Sequence, residues 1–253
     1  LIQAEAGFLS VTGSPDAPAK AGISVADIAA GMYAYTGILT ALIQRGRTGK
    51  GVNIDVSMLE ALTEWMGFPM YYAYDGGSPP PRSGAFHAAI FPYGPFTAGD
   101  GEPVMLGLQN EREWAAFCES ILNDASLAQD PKFTTNALRT EHKSELTVLI
   151  EAAFSDMTSE DALAKLDRAG IANARMNELA GVWEHAQLRA RDRWREVGSP
   201  VGPVRSMLPP AILEGTEARM DEIPGLGEHT RHILSELGYS TEDIDSLAKA
   251  AAI

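Results

Sequence analysis

The 253-residue sequence contains only one cysteine, Cys118, so no disulfide can form within the chain. Cys118 lies in EREWAAFCESI, at a position that faces the core in a predicted helix. A buried free thiol behaves as a small hydrophobic residue. Because unpaired cysteines are typical of proteins from reducing compartments, we expect a cytoplasmic location.

Basic residues are also scarce, with 20 Lys and Arg against 34 Asp and Glu, and the net charge is −14. This balance argues against a surface that neutralises nucleic-acid phosphates, and we expect no nucleic-acid partner. An anionic ligand would need a local pocket of basic groups.

Long apolar runs are few. The longest uncharged one, Ile28 to Ile43, includes two glycines, two tyrosines and two threonines. It is shorter than the roughly 20 residues that span a bilayer, so we expect no transmembrane helix and no membrane partner. The chain begins at Leu1 without an initiator methionine or a signal-peptide pattern, and we expect it to be a piece of a longer polypeptide.

Three common site signatures are missing: a GxGxxG dinucleotide fingerprint, a complete P-loop and a Cys/His metal spacing. RTGKG, Arg47 to Gly51, brings two cations into a short loop, but its spacing fits a helix-to-strand turn better than a phosphate loop. His229-x-x-His232 alone is a weak metal pattern. We therefore expect no bound metal.

The hydrophobic periodicity predicts an α/β fold. Apolar residues recur every three or four positions between Val25 and Gln44, which predicts an amphipathic helix whose buried face is formed by Ile28, Met32, Tyr35, Leu39 and Leu42. The alternation in GVNIDVSM predicts a strand directly after it.

Further elements are predicted downstream. A strand pair turns at Asp100-Gly101, and helices follow at Glu111 to Leu122, His142 to Asp156 and Ser159 to Ala169. SPVGPVRSMLPPAILEGTEA is rich in proline and glycine and predicts an extended linker. Two short helices end the chain, the second capped by Ser240 or Thr241.

Asp27, in GISVADIAAG, supports two interpretations. Ser24-Val25-Ala26-Asp27 fits a capping box, in which Ser24 accepts the N3 amide and the N3 acid accepts the Ser24 amide. The same position, at the positive end of a helix, would stabilise an ionised carboxylate that acts as a nucleophile. Caps are far commoner than nucleophiles, so the residues alone favour the cap.

GAFHAAIFPYG is an irregular segment that places His87 and Tyr93 on a loop. Such a loop could cover a site as a lid, or it could simply pack Phe86 and Phe91. His87 and Tyr93 are candidate residues beside a substrate.

Several stretches together resemble class III CoA-transferases, the CaiB/BaiF family. They are LIQAEAGFLSVTG, the run from GISVADIAAG to GVNIDVSMLEAL, HAAIFPYGPFTAGDG, DPKFTTNALRTEH and GLGEHTRHILSELGYSTEDI. The resemblance implies that Asp27 is the covalent nucleophile of a CoA-transferase. It would move CoA from an acyl-CoA to a carboxylic acid through an aspartyl anhydride and an aspartyl-CoA thioester. CoA thioesters would be substrates, and no metal is implied.

The resemblance also implies a large Rossmann-like α/β domain built from both chain ends, a smaller inserted α+β domain, and an interlocked homodimer. In this chain, 1–62 would belong to the large domain with the nucleophile helix and 63–85 would be a linker helix. Residues 86–180 would form the small domain, 181–205 a return linker and 206–253 the last part of the large domain. The family segment that carries most CoA-nucleotide contacts has no counterpart in this sequence.

One departure from the family pattern and the type of reaction each have more than one interpretation. Asn173-Ala174-Arg175 replaces the Gly-Pro-Val usual in the family, which predicts a reshaped turn where Arg175 is either a cation for a carboxylate substrate or a surface residue. The alternative functions are an α-methylacyl-CoA racemase, in which the aspartate works in acid/base chemistry with a histidine, and a non-catalytic CoA-binding protein or fragment. The identity of the donor and acceptor acids does not follow from the sequence.

Overall fold

Short helices and one long helix form the beginning of the computed structural model, which describes residues 1–253. They are α1 (Ile2–Glu5), α2 (Phe8–Val11), α3 (Val25–Thr48), α4 (Met58–Trp65) and α5 (Gly67–Ala73), followed by a 3-10 turn at Tyr74–Gly76. The long helix α3 ends where RTGKG predicts, because Gly49 takes the left-handed conformation (φ 71°) and its amide donates to the Arg45 carbonyl at 2.8 Å.

A small hydrophobic cluster holds the start of α3. Ala6, Val25, Ala26 and Leu62 are buried together, so that α1, the first turn of α3 and α4 pack on one another. This cluster anchors the N-terminal end of α3.

The predicted buried face of α3 is wrong for this chain. Its apolar side chains are exposed: Ile28, Met32, Tyr35, Ile38, Leu39, Leu42 and Ile43. Only Val25, Ala26 and Ala29 of this helix are buried. The periodicity predicted the helix correctly, but no element of the chain packs over most of the apolar stripe.

By length and composition alone, α3 is also long and apolar enough to cross a membrane, in contrast to the expectation from the uncharged run. The helix reaches this length because it continues past Ile43 through Arg45 and Arg47. Core helices of soluble proteins can have the same length and composition.

The strand predicted in GVNIDVSM does not form. Residues 51–57 have no ladder partner and run irregularly beside α3, where the Ile54 side chain would lie 3.3 Å from a Cβ on Gly37. A strand needs a neighbour for its backbone hydrogen bonds. The strands that form in this chain pair only with one another, so residues 51–57 form no ladder despite their alternating pattern.

An antiparallel sheet forms the centre of the next part of the chain. Its strands are β1 (Tyr93–Thr97), β2 (Pro103–Gly107) and β3 (Ala172–Arg175), in the order β1-β2-β3. The predicted strand pair and its turn are confirmed, with Gly101 at φ 85°. The turn predicted at residues 173–175 is wrong, because this segment is a strand that pairs Asn173 with Leu106.

Helices pack against this sheet to build the main core. They are α6 (Glu111–Ser120), α7 (Asn136–Glu141), α8 (Lys143–Phe154) and α9 (Ser159–Arg168), with a 3-10 turn at Ala125–Gln129. The buried cluster includes Phe96, Leu106, Trp114, Phe117, Cys118, Ile150, Phe154 and Leu166. The expected burial of Cys118 is therefore confirmed.

The chain divides into two units, Leu1–Met176 and Asn177–Ile253. The second contains α10 (Leu179–Val182), α11 (Ala186–Ala190), the hairpin β4 (Trp194–Val197) with β5 (Val204–Met207), α12 (Thr230–Glu236) and α13 (Thr241–Lys249). The turn and the second strand of this hairpin lie in the Pro/Gly-rich stretch that predicted an extended linker. The mixed α/β class is confirmed, whereas the predicted five-segment domain division stays a prediction.

Candidate active site

The entrance to α3 determines the environment of Asp27. Ser24 has φ −75° and ψ 62°, and the Val25 amide donates to the Ile23 carbonyl at 2.8 Å. These values describe an inverse γ-turn, whereas a capping serine needs extended backbone. The Ser24 side chain accordingly makes no capping hydrogen bond, and the predicted capping box is wrong.

Asp27 is consequently an exposed carboxylate in the first turn of a 24-residue helix. Its side chain takes part in no hydrogen bond and no ion pair. The amides of Ala26 and Asp27 also have no acceptor within the chain. A carboxylate oxygen and two free N–H donors thus lie in the first turn of α3, at the positive end of a helix, where negative charge is stabilised.

Small side chains surround this helix end. Ala29 is buried, and Ala30 and Gly31 follow with little side-chain volume. A Cβ added to Gly31 would meet nothing within 4 Å. The first two turns of α3 therefore leave space for a ligand beside Asp27 within this chain.

His87 and Tyr93, the two candidate substrate residues, lie against each other. Their rings stack with centroids 5.2 Å apart and planes 25° from parallel, and the His87 amide donates to the Tyr93 carbonyl at 2.9 Å. Gly107 pairs with Tyr93 across β1 and β2, and a Cβ there would lie 3.2 Å from the Tyr93 ring. The glycine leaves room for this ring to lie across the neighbouring strand.

The segment between these two residues is a held loop rather than a free lid. Asn136 brackets its backbone: the side-chain oxygen accepts from the Phe91 amide at 3.0 Å, and the side-chain nitrogen donates to the Ala89 carbonyl at 2.8 Å. The His87 imidazole Nδ1 accepts the Ala89 amide at 3.1 Å. A loop with this many fixed backbone groups is not typical of a mobile cover.

Aromatic packing also anchors the same loop. Phe86, Phe91 and Phe96 form a triangle with centroids 5.7 to 6.3 Å apart. Phe91 and Phe96 are buried, so the loop is anchored in the main core while the His87 side chain stays exposed. The alternative role as a packed loop is therefore confirmed for Phe86 and Phe91.

Arg139 also holds this loop, through the Phe91 carbonyl. Its side chain is 2% exposed, and Nε donates to the Phe91 carbonyl at 3.1 Å while the guanidinium pairs with Glu111 at 2.6 Å. It also donates to the Phe133 carbonyl and lies over the Trp114 ring at 5.1 Å. DPKFTTNALRTEH contains Asn136 and Arg139, but no local pattern predicts their role, because their partners in the loop lie more than 40 residues away.

The remaining candidates lie elsewhere. Arg47 and Lys50 are at the C-terminal end of α3, about 30 Å from Asp27 at 1.5 Å per residue, and RTGKG forms a helix-ending turn as predicted. Arg175 is exposed at the end of β3. No hydrogen bond or ion pair joins Asp27 to His87 or Tyr93, and the structure shows no group of three or more His, Cys, Asp or Glu that could hold a metal ion.

Comparison with known proteins decides the family. The model of CoA-transferase family III matches residues 1–230. This chain belongs to CoA-transferase family III. A CaiB/BaiF family protein from Brucella suis, 32% identical, superposes with a TM-score of 0.78 over 93% of this chain and 61% of that one. A hypothetical protein from Mycobacterium tuberculosis, 20% identical, gives a TM-score of 0.77 over 91% of this chain and supports the fold alone.

Curated proteins named as CoA-transferases are similar along nearly the whole chain. The succinyl-CoA:glutarate CoA-transferase of Mus musculus is 32% identical over all of this chain and 58% of its own length. The succinate–glutarate CoA-transferase of Agrobacterium fabrum is 31% identical over 94% of this chain and 60% of its own length. The family III segment described here therefore spans somewhat more than half the length of the curated relatives it matches.

Proposed function

We propose that this chain carries the nucleophile of a CoA-transferase, which moves CoA from an acyl-CoA donor to a carboxylic acid acceptor, and that Asp27 is that nucleophile. The observation that carries the proposal is the exposed Asp27 carboxylate, which no cap or cation engages, beside two free amides at the start of α3. The similarity to relatives named as CoA-transferases supports the same activity.

The proposed reaction begins when an Asp27 oxygen attacks the thioester carbonyl of the donor. The carbon–sulfur bond breaks, leaving a mixed anhydride and CoA thiolate. The thiolate then attacks the Asp27 carbonyl carbon of the anhydride, which forms an aspartyl-CoA thioester and releases the donor acid as a carboxylate. The two halves of the reaction need no net oxidation or reduction.

The acceptor carboxylate reverses this sequence. It attacks the aspartyl thioester, which regenerates an anhydride and CoA thiolate, and the thiolate attacks the acyl carbon of the acceptor. The new acyl-CoA leaves and Asp27 returns to its ionised form. Each attack places negative charge on a carbonyl oxygen, and the free amides of Ala26 and Asp27 are suitable donors for that charge.

His87 and Tyr93 are proposed to line the acyl end of the site in the complete enzyme. Their stacked rings offer an apolar surface with an exposed imidazole and a phenol, which suits a short carbon chain that ends in a carboxylate. Because two relatives are named for succinyl and glutarate transfer, succinyl-CoA and glutarate are the first substrate pair to test.

The decisive experiment uses the complete protein with succinyl-CoA and a panel of small carboxylic acids, and detects new acyl-CoA by mass spectrometry. Wild type should transfer CoA and give an intermediate that hydroxylamine traps on Asp27. D27N should lose both signals. D16N, which changes an exposed acid on the preceding loop, is the matched control and should keep both. Turnover by D27N would refute the assignment of Asp27.

The same assay separates the alternative functions. A racemase would exchange the α-proton of a 2-methylacyl-CoA with deuterated water and form no new acyl-CoA. A non-catalytic CoA-binding protein would show neither exchange nor transfer. The relatives' names favour transfer, and either of the other results would overturn the proposal.

The quaternary structure and domain organisation of the complete enzyme are also proposals. The proposed complete enzyme is an interlocked homodimer, and each protomer has a large Rossmann-like domain. The exposed apolar face of α3, from Ile28 to Ile43, is suited to burial against protein in this assembly. A cytoplasmic dimer is the expected form, and sedimentation equilibrium of the complete protein at micromolar concentration tests it. A monomer would refute the proposed assembly.

A further inference from the structure

A side-chain clamp on α7 holds the loop that carries His87. Asn136 uses both functional atoms of its amide group on the loop backbone, accepting from the Phe91 amide at 3.0 Å and donating to the Ala89 carbonyl at 2.8 Å. This pairing imitates a neighbouring β-strand, although no strand lies there. The loop backbone between Ala89 and Phe91 is therefore fixed by one side chain.

Arg139, one turn further along α7, completes the clamp. Its Nε donates to the Phe91 carbonyl at 3.1 Å, so Asn136 and Arg139 together satisfy both backbone groups of Phe91. The guanidinium is itself held by Glu111 and by the Phe133 carbonyl. The main core thus fixes the position of Arg139, and Arg139 in turn fixes the loop backbone at Phe91.

The clamp determines where His87 lies. The Ala89 amide donates to the His87 imidazole Nδ1, and the His87 amide donates to the Tyr93 carbonyl. If the segment Ala89 to Phe91 shifted, the imidazole would lose its hydrogen bond and its stacking on the Tyr93 ring. A continuous series of hydrogen bonds and a ring-stacking contact therefore connects α7 to the two candidate substrate residues.

We propose that Asn136 is a positioning residue for the acyl end of the site, acting through His87 and Tyr93. The expected kinetic effect of this inference rests on the proposed CoA-transferase function. The expected effect on the loop structure does not depend on that function. Asn136 needs no contact with substrate in this role. It pre-organises the stacked pair, so that binding does not have to order the loop.

Thr135 provides a matched control on the same helix. It is the N-cap of α7, and its side chain accepts from the Leu138 amide at 3.3 Å and makes no hydrogen bond to the loop. T135A therefore weakens α7 locally and leaves both arms of the clamp in place. N136A removes both arms, and N136D keeps an acceptor for the Phe91 amide while losing the donor to Ala89.

The first test is hydrogen exchange on the complete protein, which does not depend on activity. N136A should raise the exchange rate of the Phe91 and His87 amides by roughly fivefold or more, the size of effect expected when one or two hydrogen bonds are lost. N136D should raise them less, and T135A should leave them as in wild type. Equal exchange at these amides in N136A and wild type would refute the clamp.

The second test is a kinetic double-mutant cycle with His87. N136A should raise KM for the acceptor acid roughly fivefold to a hundredfold, with a smaller change in KM for the acyl-CoA, because the acyl end is misplaced. In an H87A background, N136A should have little further effect, since the two residues act through the same path. Additive effects, or an equal rise in T135A, would show a general loss of stability instead.

The two proposals fail in distinguishable ways. If wild type transfers no CoA, the proposed function is wrong, and the exchange experiment still decides the clamp. If D27N abolishes transfer while N136A behaves as T135A does in both experiments, Asp27 keeps its role and the positioning role of Asn136 is refuted.

Discussion

The side chains of Ser24 and Asp27 form no hydrogen bond, although Ser240 and Asp243, at the same spacing, form a complete capping box at the start of α13. Ser240 has extended backbone (ψ 160°), whereas Ser24 lies in a tight turn (ψ 62°). One serine–acid pair therefore caps its helix, and the other leaves its acid open to solvent. This contrast supports a chemical rather than a structural role for Asp27.

The contrast predicts different effects on stability. D243A should lower the free energy of unfolding of the region containing α13 by about 1 kcal/mol, because it breaks the capping box. D27A should cost less than about 0.5 kcal/mol, since Asp27 contributes only its charge near the helix end. Urea denaturation followed by circular dichroism measures both. A loss in D27A as large as that in D243A would indicate that Asp27 is a cap.

Asp100 should make the first unit sensitive to acid. Hydrogen bonds from Ser159, first from its amide and also from its hydroxyl, hold the pKa of Asp100 below its usual value of 3.8. A lowered pKa in the folded state contributes stability above about pH 3.8, and this is lost as the pH falls through the folded-state value. D100N should be less stable than wild type at pH 7, with a gap that narrows below pH 3.8.

The control for this prediction is D156N, since Asp156 is an exposed acid whose side chain makes no hydrogen bond within the chain. Urea midpoints of wild type, D100N and D156N between neutral and acidic pH give the comparison. A gap between wild type and D100N that stays constant with pH would contradict the assigned role of Asp100.

Cys118 should be chemically silent in the folded protein. It is fully buried, and desolvation raises the pKa of its thiol to about 12, so almost no thiolate is present at pH 8. A thiol reagent such as DTNB should label no cysteine in the native chain within minutes and one equivalent after unfolding in urea. Rapid labelling without denaturant would show that the core around Cys118 opens readily.

The ion pair between Arg139 and Glu111 should contribute measurably to stability. E111A leaves the guanidinium of Arg139, 2% exposed, without its carboxylate, and we expect a loss of about 2 kcal/mol in the free energy of unfolding. The value is below that of a fully buried pair because Glu111 is itself 56% exposed. E119A, at an exposed position on the same helix, should change stability by less than about 0.5 kcal/mol. Equal effects of the two variants would contradict the prediction.

Local sequence patterns predicted the elements whose cause is local. Gly49 ends α3, Gly101 turns β1 into β2, and Ser240 caps α13, each because one residue has the required backbone or side-chain geometry within a few positions. The periodic apolar residues likewise predicted α6, α8 and α9 and the burial of Cys118. The family could also be stated from the sequence, through the order of several short stretches.

Long-range contacts account for what the sequence pattern could not predict. The alternating residues 52–56 did not form a strand because no neighbouring strand is available, and residues 172–175 became one because β2 offers a free edge. For the same reason, the sequence pattern did not predict the clamp by Asn136, which joins segments about 45 residues apart.

The sequence by itself therefore determined the family, the main helices and the position of Asp27 in the first turn of α3. Only the tertiary structure decided that Asp27 belongs to no capping box, because Ser24 adopts a γ-turn at the point where the chain enters the cluster of Ala6, Val25 and Leu62. A capping pattern in the sequence shows which atoms can form hydrogen bonds. Backbone angles fixed by packing decide whether these hydrogen bonds form.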